Sequence, residues 1–373
     1  MRVAVIGAGL IGAAVARELT LLGAETSVFE AGRPGRGASG TTFAWVNSHN
    51  KAPRAYHDLN VAGMEAHREL DRLPAPGPRW YFGYGNIEWA GGAAQAEWLA
   101  SATARLGAAG YRTESVPAAR VRDLEPDVVL PAGTDHAVFF PGEAYVLPAL
   151  LLGRLLGEAT DRGARLAWPA PVLETSVSTR GVRLRLGDGT EHEADVAICC
   201  AGRWTSELVA PLGCTVPLDS QGPRAVGYLG YTDPVPVRLR RVLMTPRLNV
   251  RPDGGGRLLL HGLDLDPAGR SGSPDGADAG AGNETLIAAE LGRRLAEVLP
   301  GARDVRVTVR AGRRVLPADG ASVAGWADDG RVYVIATHSG VTLAPLLGRL
   351  AALEVVRDSV QEMLRPFRPQ RFS

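Results

Sequence analysis

The chain has 373 residues, 45% of them hydrophobic, and its 41 lysines and arginines nearly balance its 40 aspartates and glutamates, for a formal net charge of +1. This balance argues against a nucleic-acid-binding protein and against general electrostatic attraction to anionic membranes. The three cysteines show no CxxC spacing, so the sequence supports neither a disulfide framework nor a zinc site, and we expect no metal centre.

The first thirty residues predict a βαβ unit. Residues 3–6 form a short apolar strand, 13–22 have helical composition, and 26–30 form a second strand. Met1 and Arg2 lead directly into the first strand, and the apolar run is too short to cross a bilayer. We therefore expect no secretory signal, no transmembrane segment and a cytoplasmic protein.

The rest of the chain alternates between helical and extended patterns. Helices are predicted over residues 54–73, 93–109, 148–163, 285–299 and 343–356. Strands are predicted over residues 80–89, 195–200 and 331–336, with a hairpin over 183–193. The proline-rich stretch 74–78 is a candidate crossing between domains. Residues 264–283 are mostly Asp, Gly, Ala, Pro and Ser, which predicts a mobile surface loop.

Three glycines after the first strand indicate a dinucleotide site. Gly7 permits a tight turn, Gly9 leaves room for a pyrophosphate, and Gly12 lets the helix pack closely on the strand. The N-terminus of the helix offers N–H groups and a positive dipole to phosphates. Glu30 ends the second strand, where a carboxylate can accept hydrogen bonds from ribose hydroxyls.

Two further segments favour FAD over NAD as the dinucleotide. The loop 33–42 is rich in small residues and donors, and can wrap a pyrophosphate and approach an isoalloxazine ring. The apolar strand 196–200 ends in Ala201 and Gly202, which would let the backbone approach the same cofactor. An NAD-dependent dehydrogenase is the alternative.

At this point the sequence resembles the D-amino acid oxidase family of flavoenzymes, which includes glycine oxidase, sarcosine oxidase and related dehydrogenases. The segments that carry the resemblance are 5–12 with Glu30, 37–40, 201–204, 314–320 and 337–343. It implies an α/β fold with a Rossmann-like FAD-binding domain of the glutathione-reductase type. A second, α+β substrate domain would be built on an antiparallel sheet. The implied boundaries are 1–80, 140–215 and 315–373 for the FAD-binding domain, and 81–139 and 216–314 for the substrate domain.

The predicted cofactor residues combine the glycine-rich turn with positions that the resemblance implies. They are Gly7, Gly9, Leu10, Ile11, Gly12, Glu30, Ala31, Arg36, Ala38, Ser39, Thr41, Val172, Ala201, Gly202, Trp204, Ser339, Gly340, Val341 and Thr342. The turn 339–342 precedes the helix predicted over 343–356, whose N-terminus would lie toward the flavin. Residues 313–319 contain no cysteine at the place where a related branch attaches its flavin, so we expect FAD to be bound non-covalently.

Four residues are candidates for contact with the substrate or with the reacting part of the flavin. The resemblance makes Arg314 the carboxylate clamp, because a guanidinium can hold a carboxylate by two parallel hydrogen bonds. His49, in the segment 45–51, could contact the substrate or the flavin, or only bond within a turn. Lys51 is the only lysine of the chain, which suggests a need for a compact ammonium, although a solvent-exposed lysine is the alternative. His338 could line the site or serve in packing.

The predicted function is FAD-dependent oxidation of a C–N bond in an amino acid or secondary amine, by hydride transfer to flavin N5 and hydrolysis of the imine. The electron acceptor would be oxygen or another molecule. Two alternatives keep the fold. One is a 2-hydroxy-acid dehydrogenase, which would need a histidine base near the flavin. The other is a non-catalytic flavin-binding subunit of a complex.

Overall fold

The computed structural model describes residues 1–219, 222–270, 281–327 and 330–372. Its strands are β1 (Arg2–Ile6), β2 (Glu25–Phe29), β3 (Trp45–Val46), β4 (Tyr81–Phe82), β5 (Asn86–Glu88), β6 (Glu114–Pro117), β7 (His136–Phe140), β8 (Ala144–Val146), β9 (Arg165–Ala167), β10 (Val172–Ser178), β11 (Gly181–Leu186), β12 (Glu191–Ala194), β13 (Val196–Cys199), β14 (Val226–Thr232), β15 (Val242–Met244), β16 (Asn249–Pro252), β17 (Leu258–His261), β18 (Val307–Arg313), β19 (Val323–Trp326) and β20 (Val332–Ala336). Its helices are α1 (Leu10–Leu21), α2 (Arg54–Arg72), α3 (Ala93–Ala108), α4 (Ala118–Leu124), α5 (Pro148–Asp161), α6 (Thr205–Val209), α7 (Pro267–Arg270), α8 (Ala281–Val298) and α9 (Gly340–Arg357).

The first large sheet has six strands in the order β19-β20-β13-β1-β2-β9, all parallel except β19. Strand β1 is buried on both faces, which explains its unbroken apolar run. Val3 and Val5 join the core formed with α1, α2 and α9. Ala4 and Ile6 point the other way, against the three-stranded sheet β10-β11-β12. The predicted Rossmann-like α/β architecture is confirmed.

The second large sheet has eight strands in the order β18-β14-β17-β16-β15-β5-β7-β6, antiparallel except for the β15–β5 pair. One face packs on helix α8 through an apolar core that includes Ile87, Val250 and Leu260. Side chains alternate along a strand, so the opposite face carries buried polar residues, among them Asn86, Asn249, Arg251 and His261. The predicted antiparallel-sheet domain is confirmed, while its exact boundaries stay a prediction.

Two predicted elements differ from the structure, and several strands, β10 among them, were not predicted. The single strand expected over 80–89 is two short strands, β4 and β5, separated by a glycine with φ +88°, Gly85. Strand β10 was not predicted, because its sequence shows no clear alternation of apolar and polar residues. The surface loop expected over 264–283 contains helix α7 and the start of α8, and Asp266 there is buried. The middle of that segment, 271–280, lies outside the described residues.

None of the helices in the described ranges combines the length and apolarity that crossing a bilayer requires.

Helices α1 and α2 both pack on helix α9. Within this packing, His67 of α2 is fully buried, and its Nε2 lies 2.8 Å from the carbonyl oxygen of Val341 in the first turn of α9. Burial lowers the pKa of His67 from 6.5 to about 4.

We expect His67 to make the protein less stable as the pH falls from 6.5 toward 4. In this window the unfolded chain binds a proton that the folded chain does not, which costs about 2 kcal/mol of unfolding free energy by pH 5. H67Q keeps an N–H donor for Val341 but does not titrate. Urea unfolding of the FAD-saturated protein should therefore show a smaller loss between pH 7.5 and 5 in H67Q. H136Q, at an exposed histidine, should follow the wild type; parallel losses in all three proteins would contradict the prediction.

Candidate active site

The carboxyl ends of the parallel strands form one edge of the six-stranded sheet, here termed the cofactor edge. Strands β1, β2, β13 and β20 end there at Ile6, Phe29, Cys199 and Ala336. Open parallel sheets bind ligands in the crevice beyond this edge. The segments that follow these strands contain Gly7, Gly9, Leu10, Ile11 and Gly12; Glu30, Ala31, Arg36, Ala38, Ser39 and Thr41; Ala201, Gly202 and Trp204; and Ser339, Gly340, Val341 and Thr342. The structure therefore brings residues from both ends of the chain to one edge.

The glycine-rich turn has no room for side chains at two of its three glycines. Gly7 has φ +101°, and a Cβ there would lie 2.6 Å from the carbonyl oxygen of Cys200. A Cβ on Gly12 would lie 1.9 Å from the carbonyl oxygen of Gly7. At Gly9 a Cβ would meet only the hydroxyl of Ser39, at 3.0 Å. The first and third glycines thus hold strand and helix together, while the second leaves space beside the helix N-terminus.

Glu30 is tied to the same turn. The N–H groups of Ala8 and Gly32 donate to its two carboxylate oxygens at 2.8 and 2.9 Å. A carboxylate offers about four lone-pair sites, so both oxygens can still accept a bond from a ribose hydroxyl. The following loop is fixed to the turn as well, because the N–H of Leu10 donates to the Ser39 hydroxyl at 3.0 Å.

Helix α9 points its N-terminus at the cofactor edge. No side chain caps its first residue in the described structure, so its N–H groups and positive dipole remain available to an anionic group. The hydroxyl of Tyr56 lies 2.8 Å from that of Ser339, and the backbone N–H of Asn47 donates to the hydroxyl of Thr342 at 3.4 Å. These contacts anchor helix α2 and the segment 45–51 at the N-terminus of α9.

Val172 and Trp204 lie at the margin of the site. Val172 begins β10 and is half-buried, close to the segment in which the N–H of Ala170 donates to the carbonyl oxygen of Glu30 at 2.7 Å. The ring of Trp204 is 47% exposed, and the guanidinium of Arg203 lies over it at 3.9 Å from the centroid. Trp204 is therefore available to a ligand only through its edge or its other face.

Lys51 and Arg314 form a cationic group near His338, beside the N-terminus of α9. The ammonium of Lys51 lies 5.9 Å from the ring centroid of Tyr56. His338 is accessible to solvent, yet many protein atoms surround it, as is typical of a side chain in the wall of a cleft. This partial desolvation, with the charges of Lys51 and Arg314, lowers the pKa of His338 to about 4. His338 is therefore a neutral imidazole at pH 7.

Arg314 is less free than a carboxylate clamp was expected to be. Its Nη1 donates to the carbonyl oxygens of Arg224 and Val226, both at 3.0 Å. Its Nη2 donates to Asp266 Oδ2 at 2.5 Å, and His261 Nε2 lies 3.1 Å from the same oxygen. Burial raises the pKa of Asp266, but His261 and Arg314 outweigh it and hold that pKa below its usual value. Asp266 therefore stays ionised and offsets the charge of Arg314.

The structure places His49 in the interior, where its side chain has no exposed surface. Its Nε2 lies 3.2 Å from Glu88 Oε2 and its Nδ1 lies 3.6 Å from Glu143 Oε1. The sequence suggested contact with substrate or flavin, but the ring is packed between these carboxylates and the ring of Phe140. His49 therefore makes no direct contact with a ligand in this arrangement, because protein encloses its imidazole on all sides.

Four residues around the site were missed by sequence reasoning. Glu88 and Glu143 border His49, while Asp266 and His261 border Arg314. The sequence could have indicated Glu88, because it lies within the aromatic strand pattern at 80–89 and a buried carboxylate needs a partner. The other three carry no local signal in the sequence.

The groups at the cofactor edge fit the chemistry of FAD. The helix N-termini of α1 and α9 suit anionic oxygens, and the Glu30 carboxylate suits ribose hydroxyls. The glycine turns let backbone approach a planar ring closely. Among the described residues, no group of three or more His, Cys, Asp or Glu side chains could hold a metal ion.

Comparison with known proteins agrees with this fit. Glycine oxidase of Pseudomonas aeruginosa is 29% identical over 319 residues, covering 80% of this chain and 80% of that protein. Glycine oxidase of Geobacillus kaustophilus is 25% identical over 98% of this chain and 95% of that protein.

Solved structures show the same fold. The crystal structure of the Geobacillus kaustophilus glycine oxidase matches with a TM-score of 0.82 at 22% identity, covering 99% of both chains. That of iminodiacetate oxidase from a Chelativorans species matches with a TM-score of 0.80 at 21% identity, also covering 99% of both chains. A family model described as "DAO: FAD dependent oxidoreductase" matches residues 2–353. The family and the enzyme class expected from the sequence are thus confirmed, and the chain belongs to the DAO family of FAD-dependent oxidoreductases.

Proposed function

We propose that this enzyme oxidises the C–N bond of an amino acid or a secondary amine that carries a carboxylate. When bound, FAD would supply the hydride acceptor for the carbon next to nitrogen, and water would hydrolyse the imine that results. The curated relatives named glycine oxidase support this substrate class. The cationic group of Lys51 and Arg314 would hold the carboxylate and orient the substrate.

The surroundings of the two candidate bases, His338 and His49, favour C–N over C–O oxidation. Oxidation of an alcohol needs a base that removes the hydroxyl proton, and a base works best when its pKa is near the working pH. His338, with a pKa of about 4, is a weak base, and His49 is enclosed by protein. A neutral amine has a lone pair of its own and needs no such base. Neutral His338 can instead accept a hydrogen bond from the substrate N–H without adding a third cation beside Lys51 and Arg314.

We also propose that FAD is held non-covalently. The three cysteines are all buried, and none lies in the stretch 313–319. Precipitating the purified protein with acid should release all of the flavin into the supernatant. Flavin that stays with the pellet would contradict this part of the proposal.

The proposed function is tested by adding substrates to the purified FAD enzyme without oxygen. D-amino, L-amino, N-methyl amino and 2-hydroxy acids are compared, each with an analogue that lacks the carboxylate. We expect amines that bear a carboxylate to bleach the visible flavin absorption, and 2-hydroxy acids to leave it unchanged. Bleaching by hydroxy acids alone would replace this proposal with C–O oxidation, and bleaching by none would favour a non-catalytic flavin subunit. Re-admitting oxygen then distinguishes an oxidase from an enzyme with another electron acceptor.

A further inference from the structure

A buried polar cluster lies between the cofactor edge and the eight-stranded sheet. It consists of His49, Glu88, Glu143, Tyr111 and Trp45, and is termed the His49 cluster. The side chains of His49 and Glu143 are completely buried, and that of Glu88 is 13% exposed. The indole N–H of Trp45 and the hydroxyl of Tyr111 each donate to Glu143, both at 2.8 Å. The imidazole of His49 occupies the space between Glu143 and Glu88.

A proton on His49 offsets one of the two carboxylate charges in this cluster. Two carboxylates meet there, and an unpaired buried carboxylate is costly. Trp45 and Tyr111 are neutral donors, and Phe140 packs on the imidazole with ring centroids 4.3 Å apart. Burial lowers the pKa of His49, but Glu143 and Glu88 outweigh it and raise that pKa above 6.5.

The nearest other cations belong to neighbouring elements. Arg68 of α2 donates to the carbonyl oxygen of Gly142, the residue before Glu143. Lys51 follows His49 by two residues along the chain. Neither forms a salt bridge with Glu88 or Glu143, whereas both carboxylates lie within 4 Å of His49 in the described structure. His49 is therefore the cation that these two glutamates share.

The His49 cluster links two parts of the molecule that must stay in register for a reaction at the cofactor edge. Strand β3 pairs with β8, and the carbonyl oxygen of Trp45 accepts a bond from the hydroxyl of Thr342 in α9 at 3.3 Å. Glu88 lies on β5, inside the eight-stranded sheet, on the face opposite its apolar core. His49 makes an ionic contact between these two parts.

We propose that His49 is a positioning residue: as an imidazolium it ties Glu88 of the eight-stranded sheet to the segment that carries Lys51, and so holds the sheet and the cofactor edge in the geometry needed for substrate binding. The inference rests on the proposed function for its kinetic consequence. The ionic link itself is a property of the folded chain and can be measured without any substrate.

The link is tested directly by NMR of the FAD enzyme labelled with nitrogen-15 in its seven histidines. We expect one imidazole to stay doubly protonated at about pH 7.5, where an unperturbed histidine is neutral. Its signal should be missing from H49Q and present in H136Q, the control at an exposed strand residue. If every histidine of the wild type is neutral at that pH, the proposal is overturned, whatever substrate the enzyme uses.

The function of the link is tested by kinetics on H49Q, E88Q and the double variant. We expect H49Q to bind FAD normally but to raise KM for the amine substrate about tenfold, with a smaller change in kcat, because the site loses its alignment. H49Q should also lower Tm, since it leaves two buried carboxylates without a cation. Adding E88Q to H49Q should recover part of that Tm without restoring KM, because one orphaned charge is removed but the link is still missing.

The outcomes separate the two proposals. The positioning role is overturned if adding E88Q to H49Q lowers Tm further. It is also overturned if the KM of H49Q lies within about twofold of the wild-type KM. If H49Q does not fold, the double variant provides the kinetic comparison. If no amine bleaches the flavin, the proposed function fails, while the NMR and Tm results still decide whether the ionic link exists.

Discussion

Replacing Gly12 by alanine is expected to cost this enzyme most of its affinity for FAD. The new Cβ would lie 1.9 Å from the carbonyl oxygen of Gly7, a backbone atom that cannot rotate away. Gly7 cannot yield either, since the space beside it is filled by the carbonyl of Cys200. Helix α1 must therefore shift from strand β1, and its N-terminus moves away from the place of the phosphates. Overpacking of this kind costs about 2–3 kcal/mol, which is roughly a hundredfold in the Kd for FAD.

The matched control for G12A is G153A. Gly153 lies in the interior of helix α5, is exposed, and has no atom within 4 Å of an added Cβ. G153A should keep the wild-type Kd for FAD and gain up to about 1 kcal/mol of unfolding free energy, because alanine favours the helix. Titration of the apoproteins with FAD, followed by flavin fluorescence, measures both variants. If G12A is purified with a full complement of FAD, the turn can relax around the new Cβ and the prediction is wrong.

The second large effect is expected for R314M, and it should depend on the substrate. If Arg314 helps to hold the substrate carboxylate, kcat/KM for an amino acid should fall about a hundredfold, in line with the loss of a partly buried charged contact. The matching amine without a carboxylate should lose less than about threefold, because it makes no such contact. Stopped-flow flavin reduction with both substrates gives the comparison, and R303M, at an exposed arginine before strand β18, is the control.

The ion pair between Arg314 and Asp266 must be considered when this test is interpreted. In R314M the buried Asp266 loses its arginine and keeps His261 and the backbone N–H of Tyr228 as partners, so part of any loss could come from a disturbed fold. The double variant R314M/D266N removes that orphaned charge. If it recovers Tm while the preference for the carboxylate stays lost, Arg314 contributes to the anchor directly. Equal losses for both substrates would mean that Arg314 serves only to brace the loop with Arg224 and Val226.

The cofactor edge was predictable because its signals are local. Gly7, Gly9, Gly12 and Glu30 lie within one βαβ unit, where the spacing of small residues follows from the turn itself. Helix α1 begins at Leu10, three residues earlier than composition predicted, because the glycines form the start of the helix as well as the turn. The antiparallel sheet was reached through family resemblance, since its strands are short and come from distant parts of the chain.

The segment around Asp266 shows where composition misleads. Its Asp, Gly, Ala, Pro and Ser content predicts an exposed loop, yet Asp266 is buried against Arg314 and His261. A single charged residue in a polar stretch carries no sign of its partner when that partner is 48 residues away. Pairing over such distances depends on how the strands assemble.

The sequence by itself determined the nucleotide-binding turn, the alternating α/β order of the N-terminal unit and the family, because each follows from spacing between neighbouring residues. Only the tertiary structure decided the states of the charged groups. It buries His49 between Glu88 and Glu143, offsets Arg314 with Asp266, and leaves His338 neutral beside Lys51. The physical reason is that the charge state of a side chain depends on desolvation and on nearby charges, and both are set by parts of the chain that meet only on folding.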